Sequence, residues 1–556
     1  MTLLRINMTT GHIESQRFSE EKLIGGRAMI DHLLSLHCTP STHPLSEESL
    51  FILAPGLLAG TTAPQTGRLS VGGKSPLTEG IKEANVGGTV AHKLGRLGIK
   101  AIIIKGRAEK WKILKIRKDA ITLEDAEDIV GKPNYDACAM IHRQYGENVG
   151  IVIIGRAGEM KLSNSTVAVT DPDGRPSRHA ARGGLGAVMG AKGLKAVIID
   201  DSGTGVRRPL DEKAFSDAIK VAADEILGKA TTPNLRKYGT STWIDIDNAR
   251  GSLPTYNHRL GAFEKFESIN ARRIAELSEA RGGSNGHRCM PGCLVQCSNV
   301  FHGPAGNMVT AAFEYETIAI LGANLGIYDI DAIARMDRQC DDLGIDTIEL
   351  GCTIGVLNDA GLFEFGDAER AVGLIGEIAK GTPLGRILGS GVTTTAKVFG
   401  IDRIPAVKGQ GIPAHSARSL KGWGVTYATS PQGADHTAGA VIAEPLSPIG
   451  HTQRSRESQI GMAALDSTGF CMFTYLRTSL TTIVKLINAF YGVNWAEMDY
   501  LEMGKEALRQ ERAFNFKAGI SPGADGLPDW MKKEPLPPTD AIFDVSEDDI
   551  QNVFNF

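Results

Sequence analysis

Three of the chain's eight cysteines fall within nine residues, Cys289-Met290-Pro291-Gly292-Cys293-Leu294-Val295-Gln296-Cys297. That cluster constrains the fold more than any other feature. Pro291 and Gly292 interrupt any helix between the first two thiols, so the spacing predicts a loop wrapped around something. Three thiols on a turn need a fourth to complete a four-thiolate iron–sulfur site. Cys471, which ends Asp466-Ser467-Thr468-Gly469-Phe470-Cys471, is the candidate. A radical S-adenosylmethionine site needs C-x3-C-x2-C and an open iron, which this spacing and a fourth thiol do not match. In a reducing compartment no disulfide framework is expected, and Cys38, Cys138, Cys340 and Cys352 read as small core residues.

A chain of 556 residues supports two to four domains. A net charge of -4 gives no reason to expect nucleic acid or an anionic membrane as partner. The first residues, MTLLRINMTTGHIESQRF, lack an apolar signal core, and no run approaches the ~18 apolar residues of a membrane span. A cytoplasmic location is the expectation. The 65 glycines exceed the usual ~7% and sit in short loops between apolar runs, where backbone can approach a ligand. LLRINM and IESQRF read as a hairpin turned at Thr10-Gly11. Further strands are expected at 50–55, 67–73, 99–106, 111–117, 150–155 and 195–200. Helical patterns between them look short. From 211 the spacing turns helical, at 211–227, 329–344, 348–361, 369–381, 384–400 and 456–496, and the Pro-rich 528–540 is expected to wrap the surface. The stretch 200–209 reads as a boundary, and no solenoid repeat is visible.

A second signal recurs. Asp341-Asp342-Leu343-Gly344-Ile345-Asp346 and Asp466-Ser467-Thr468-Gly469-Phe470-Cys471 share Asp-x-x-Gly-apolar-(Asp or Cys). Each Gly is suited to be the left-handed residue that ends a helix. The aspartates then lie in the last turn, where a negative charge opposes the helix dipole by roughly 0.3–1 kcal/mol. Meeting that cost twice suggests a partner with adjacent N–H donors, such as an aminopyrimidinone; alone, each is an ordinary helix end. Four glycine loops can cradle an anion through successive N–H groups: Gly25-Gly26-Arg27, Thr66-Gly67-Arg68, Asn85-Val86-Gly87-Gly88, and Arg182-Gly183-Gly184-Leu185-Gly186-Ala187-Val188-Met189-Gly190. The last has no expected strand before it and is neither a dinucleotide fingerprint nor a P-loop; tight turns are the plain alternative. Glu314-Tyr315-Glu316 and His436 are acid–base candidates, with structural roles as the alternative.

These segments, in order, resemble the aldehyde:ferredoxin oxidoreductase family of tungsten or molybdenum bis-pterin enzymes. The resemblance runs from IGGRAMIDHLL through LAPGLLAGTTAPQTGRLSVGGKSPLTEG, NVGG, ARGGLGAVMGAKGLKAV, GSLPTYNHR, EYETIAILGANLGI, DDLGID and YATSPQGADH to DSTGFC, most of the chain. It implies an α+β fold: a β-rich base domain of two sheets over 1–206 that binds the pterins and their phosphates. Two mainly α-helical domains follow, 207–420 with three cluster cysteines and 421–556 with His436 and Cys471, and together they enclose a buried cofactor. By resemblance Asp341, Gly344, Ile345 and Asp346 hold one pterin, and Asp466, Gly469 and Phe470 the other. Mg2+ bridges the pterin phosphates near Asn85 and Ala181. Arg68, Arg182, Gly87, Gly88, Gly183 and Gly184 take the phosphates, and Cys289, Cys293, Cys297 and Cys471 hold a 4Fe-4S cluster.

The implied reaction is oxidation of an aldehyde to a carboxylic acid, with electrons collected by ferredoxin or a small iron–sulfur subunit. Glu316 would activate water, while His436 and Tyr315 polarise the carbonyl oxygen. Three departures stand out. The cysteines read C-x3-C-x3-C where the family commonly shows C-x2-C-x3-C. Ala438 stands where some members carry a basic side chain. The Glu-x-x-His that bridges dimers through iron is absent around Arg335-Met336-Asp337-Arg338, although a homodimer stays compatible. The alternatives are a tungsten subunit of an aromatic-acyl-CoA reductase, expected to have a closed and more apolar pocket, and a pterin-free iron–sulfur electron carrier.

Overall fold

The computed structural model describes residues 1–19 and 22–556. Strands β1 (Thr2–Asn7) and β2 (His12–Arg17) pair as the hairpin expected from the alternating sequence. There follow β3 (Phe51–Pro55), β4 (Leu69–Lys74), β5 (Ile81–Val86), β6 (Ile99–Lys105), β7 (Lys112–Arg117), β8 (Ile121–Asp125), β9 (Gly150–Ile153), β10 (Val167–Val169), β11 (Arg178–Ala180) and β12 (Leu194–Asp200). They form two six-stranded sheets, ordered β2-β1-β6-β3-β4-β5 and β11-β10-β9-β12-β7-β8. Read from its other edge, the second sheet repeats the first strand for strand. In each, the hairpin strand lies parallel to the last strand of the unit, β1 to β6 and β7 to β12. Helices Gly26–His37 and Asn134–Tyr145 occupy equivalent places in the two halves, as do Val90–Arg96 and Leu185–Ala191.

The base is therefore a duplicated unit. Sequence comparison of the halves misses this because what they share is a pattern of apolar alternation, which many residue choices satisfy. The inner faces meet in one core, with Leu53, Val71 and Ile102 against Leu114, Val152 and Val197. The outer faces are covered by the two helices: Ile30 and Leu33 over Ile52 and Ile103 on one side, Cys138 and Ile141 over Ile151 and Ile198 on the other. Burial on both faces explains the unbroken apolar run Ile102-Ile103-Ile104, each worth about 1.5–3 kcal/mol. Gly72 lets helix Gly26–His37 settle on β4, since a Cβ there would lie 2.1 Å from Ile30 Cγ2.

These helices correct the expectation that helical segments before residue 205 are short, for each spans 12 residues. Four strands, β5, β8, β10 and β11, and a three-stranded sheet beyond them also go beyond the sequence reading. That sheet is Ser284–His287, Ser298–His302 and Met308–Ala311, and the cysteine loop joins its first two strands. The segment 384–400 is two helices, Pro383–Leu388 and Val392–Phe399, because Gly389 and Gly391 break it. Helix Glu212–Gly228 packs its Phe215 and Ala222 with Leu465, Ile487 and Leu508 of the C-terminal helices. The Pro-rich tail does more than wrap the surface: Met531 and Phe543 enter the core around Trp423 and Tyr427.

His92 ties helix Val90–Arg96 to the loop after β3. Its Nδ1 accepts from Gly60 N at 2.9 Å, and its other edge faces the Pro291 carbonyl. Burial, with Arg96 adding to it, lowers the ring from 6.5 to about 4. The neutral form is the one that fits, so this contribution is complete above pH ~6.5 and is lost as pH falls toward 4. Denaturant unfolding should show stability falling by up to roughly 3 kcal/mol across that window from this group. His92→Gln should flatten that part of the pH dependence.

Candidate active site

The two Asp-x-x-Gly motifs dock one on each half of the duplicated base. Helices Ile330–Leu343 and His451–Thr468 end at Gly344 and Gly469, with φ of 71° and 84°. Gly469 lies against the loop after β3, where a Cβ on Gly56 would sit 2.1 Å from Gly469 N, and Arg68 N donates to Gly469 O at 3.1 Å. Gly344 lies in the same way against the loop after β9. A Cβ on Gly155 would sit 2.2 Å from Leu343 O, and Thr166 N donates to Gly344 O at 2.8 Å. The twice-occurring motif thus has a twice-occurring seat.

The aspartates face a common cavity of about 400 Å³ between base and helices. Asp341 meets His179 Nε2 at 3.0 Å. Asp466 lies 3.5 Å from Arg27, whose guanidinium makes a two-pronged pair with Glu511 at 2.8 and 2.9 Å. Burial, with Glu83 adding to it, pushes the Asp466 carboxyl well above the ordinary range. Asp346 is not a free ligand: Oδ1 caps the next helix at Ile348 N, 3.0 Å, and Oδ2 holds Arg182 Nε at 3.2 Å. Arg182 is also fastened to the carbonyls of Ala434 and Gly411, each at 2.6 Å. Arg68 grips Asn85 through its side chain and its carbonyl.

Of the sequence candidates, Arg68, Asn85, Gly87, Ala181, Arg182, Asp341, Ile345, Asp346 and Asp466 line this cavity. Gly88, Gly183, Gly184, Gly344, Gly469 and Phe470 do not. Phe470 is instead fully buried in the core of the C-terminal helices, so its side chain is a packing residue. The glycine loop 183–186 does follow a strand, the three-residue β11, contrary to the sequence reading. Near Ala438, cationic charge comes from elsewhere: Lys82 on β5, fully buried, pairs with Asp435 at 3.2 Å.

The four cysteines converge. Cys289, Cys293 and Cys471 share one buried cluster with Met290, Cys297 sits in the adjoining one, and Phe473 touches both. A hydrogen bond from Cys293 outweighs burial and, with Arg178 and Arg68, lowers the Cys289 thiol to about 6. Burial holds Cys471 up at about 11 despite Arg68. Gln65, which sequence reasoning missed, joins the two loops. Its N donates to Gly292 O (3.1 Å), its O accepts from Cys471 N (2.9 Å), and its Oε1 accepts from Leu294 N (2.8 Å). Its left-handed φ of 64° is the one unusual feature, and no local sequence signal marks it. Gln65→Ala removes the acceptor of the part-buried Leu294 N–H, and should cost about 1 kcal/mol and lower the iron retained per chain on anaerobic purification.

The cavity runs from Cys289, Cys297 and Cys471 to Glu316 and His436. Glu314 is the ion-paired partner of Arg178 at 3.0 Å. Glu316, on helix Tyr315–Leu321, accepts from Ala414 N at 2.8 Å through Oε2, while Oε1 is buried without a partner. His436 Nδ1, also unpartnered, lies 3.6 Å from that oxygen. Tyr315 departs from its expected role. Its hydroxyl lies 2.5 Å from Asp247 Oδ2, so its one proton is engaged there and not at a substrate oxygen. His415 and Trp423 complete this wall, with Asp247 buried behind it against His415 and Tyr315; Asp247 is far from the other two in sequence, and the three carried no motif. Among the described residues one further trio could take a metal, Asp171, Asp173 and His287, but Arg175 already pairs with both carboxylates.

Two family models cover nearly all of the chain: aldehyde ferredoxin oxidoreductase, N-terminal domain, over residues 3–201, and domains 2 and 3 over residues 217–552. The tungsten-containing aldehyde ferredoxin oxidoreductase of Pyrococcus furiosus is 32% identical, over 96% of this chain and 91% of the relative. That of Thermococcus kodakarensis gives the same figures. The aliphatic sulfonate oxidoreductase, WOR-like subunit, of Pyrococcus furiosus is 26% identical over 92% of this chain and 85% of its own length. Among solved structures, the active site complex BamBC of benzoyl coenzyme A reductase shares the fold, with a TM-score of 0.81 at 19% identity over 95% of this chain and 90% of that one. The chain belongs to the aldehyde ferredoxin oxidoreductase family, and is an oxidoreductase of that tungsten- and pterin-dependent kind. No described helix is long and apolar enough to cross a membrane.

Proposed function

We propose that this chain oxidises an aldehyde to a carboxylic acid at a bis-pterin tungsten (or molybdenum) centre. Cys289, Cys293, Cys297 and Cys471 would hold a 4Fe-4S cluster, which would supply the exit for electrons toward ferredoxin or an iron–sulfur partner subunit. The cavity fits a large, polar, hydrogen-bonding group, since buried Glu83 Oε1 and Asn85 Nδ2 have no protein partner beside it. Asp341 and Asp466 would each take a pterin edge. Arg68, with Asn85 and the backbone at Ala181, would take the phosphates and a bridging Mg2+. Arg182 would hold the wall in shape.

When bound, the cofactor would supply the acceptor for the equivalent of a hydride, the two electrons together with the hydrogen of the aldehyde C–H bond. The remaining work falls to the protein. Glu316 Oε1 takes a proton from water as its oxygen adds to the carbonyl, and His436 holds the carbonyl oxygen. The observation that carries this reading is the unpartnered Oε1 of Glu316 beside His436, in a cavity also lined by Cys289, Cys297 and Cys471. The wall there bears Glu316, His415, Asp435 and His436, which supports aldehyde oxidation over the apolar pocket of an aromatic-acyl-CoA reductase.

The test is elemental analysis of anaerobically purified protein together with reduction of a viologen dye by short and aromatic aldehydes. About one tungsten or molybdenum and about four iron per chain, with aldehyde-dependent dye reduction, support the reading. Iron without either heavier metal, from cells supplied with both, sinks it in favour of an electron carrier.

A further inference from the structure

Glu316 can act as a base only while ionised, and it sits in a largely buried wall that also holds the Asp247 carboxylate. Something must offset that charge. The nearest group besides His436 is His415, whose Nε2 lies 3.8 Å from Glu316 Oε1. The opposite nitrogen, Nδ1, lies 2.6 Å from Asp247 Oδ2. Asp247 is fully buried, and it also accepts from Tyr315 O–H at 2.5 Å and from Ser252 O–H at 3.0 Å. A carboxylate with donors at both oxygens, Ser252 on Oδ1 and Tyr315 on Oδ2, fixes the His415 proton on Nδ1 and turns Nε2 toward Glu316.

The ring is also built to carry charge. It stacks on Trp423 at 4.0 Å and 10°, and on Tyr315 at 4.7 Å and 26°, with Trp243 edge-on at 5.5 Å. Two π faces suit an imidazolium. Burial opposes the charged form, but Asp247, and then Glu316, raise the ring above its ordinary value; Arg250 acts the other way. His436 is a further titratable neighbour, at 6.4 Å between ring centres, and the buried Tyr427 hydroxyl faces the same two carboxylates, Glu316 and Asp247.

We propose that His415, held by Asp247, is the positioning residue that keeps Glu316 ionised and aims its Oε1 at the reacting water. This rests on the assignment of Glu316 as base in the aldehyde reaction. Nothing in the local sequence marks His415, which lies in an irregular stretch between the glycine-bearing 409–411 turn and helix Lys421–Thr429.

The test has two arms. In the first, the pH dependence of kcat is measured for the full enzyme, His415→Gln and Asp247→Asn, each matched for metal content. Removing a cation beside a carboxylate raises its pKa, so the acid limb should move up by about one pH unit or more in both variants. A purely structural role would lower the plateau and leave the limb in place. In the second arm, 15N-histidine NMR of the full chain follows the His415 titration, assigned by its loss in His415→Gln. Glu316→Gln should move that titration to lower pH, since the coupling is reciprocal. An unmoved acid limb in both variants, or a His415 titration indifferent to Glu316→Gln, overturns the proposal. If no aldehyde is oxidised by the parent enzyme, the functional reading fails, but the NMR arm still decides whether His415 and Glu316 act as a pair. If His415→Gln does not fold, Asp247→Asn and Glu316→Gln decide the outcome.

Discussion

Glu316→Gln is expected to lower kcat for aldehyde oxidation by about 10²–10⁴-fold, the range over which a positioned general base contributes. The variant should retain the tungsten or molybdenum and iron content of the parent. The two oxygens of Glu316 have separate duties. Oε2 accepts from Ala414 N at 2.8 Å, an anchor that the amide oxygen of glutamine can keep. Oε1 is the buried, unpartnered atom beside His436 and His415, and there the substitution puts an NH2 group where a proton acceptor stood. Binding of the aldehyde should be affected far less than turnover, because the lost interaction belongs to the transition state. Dye-linked turnover against aldehyde concentration, normalised to bound metal, measures this. A variant within about threefold of the parent would mean that the base is another group.

Much of this arrangement is legible from the chain alone, and its limits have physical causes. The Asp-x-x-Gly motifs are readable because a left-handed residue at a helix end has almost one chemical solution, glycine, and the structure gives φ of 71° and 84° at the two places. The cysteine loop is readable because Pro291-Gly292 admits no helix. The duplication of the base is hidden, because strand order is a matter of which apolar runs pair, and β10 and β11 are only three residues long. Gln65 and His415 are hidden for another reason. Each acts through contacts made at sequence separations above two hundred or one hundred residues respectively, as in Gln65–Leu294 and His415–Asp247. Tyr315 shows the converse, for its identity was legible but not the direction of its hydroxyl, which packing against Asp247 decides.

Cys471→Ser is expected to reduce retained iron from about four to about one or fewer per chain, and to abolish electron transfer to ferredoxin or dye. The backbone should tolerate the change. Cys471 N donates to Gln65 O at 2.9 Å whatever its side chain, and the cysteine N-caps the short helix Met472–Tyr475 without a side-chain bond. What serine removes is the soft thiolate that closes a set of four. The parent site provides for that charge, with Arg68 and Arg477 both near Cys471. Cys38→Ser and Cys138→Ser are the matched controls. They lie in the two outer cores of the duplicated base, packed with Ile52 and Ile151 respectively, so they should cost stability but no iron. Burial makes Cys138 a poor thiolate, pushed up to about 12, whereas Cys289 is lowered to about 6. Iron content and the dithionite-bleached visible absorption, read on all three variants, separate loss of a ligand from loss of fold. If Cys471→Ser kept four iron atoms and the bleachable absorption, the cluster would have to be held by the 289–297 loop and some other group.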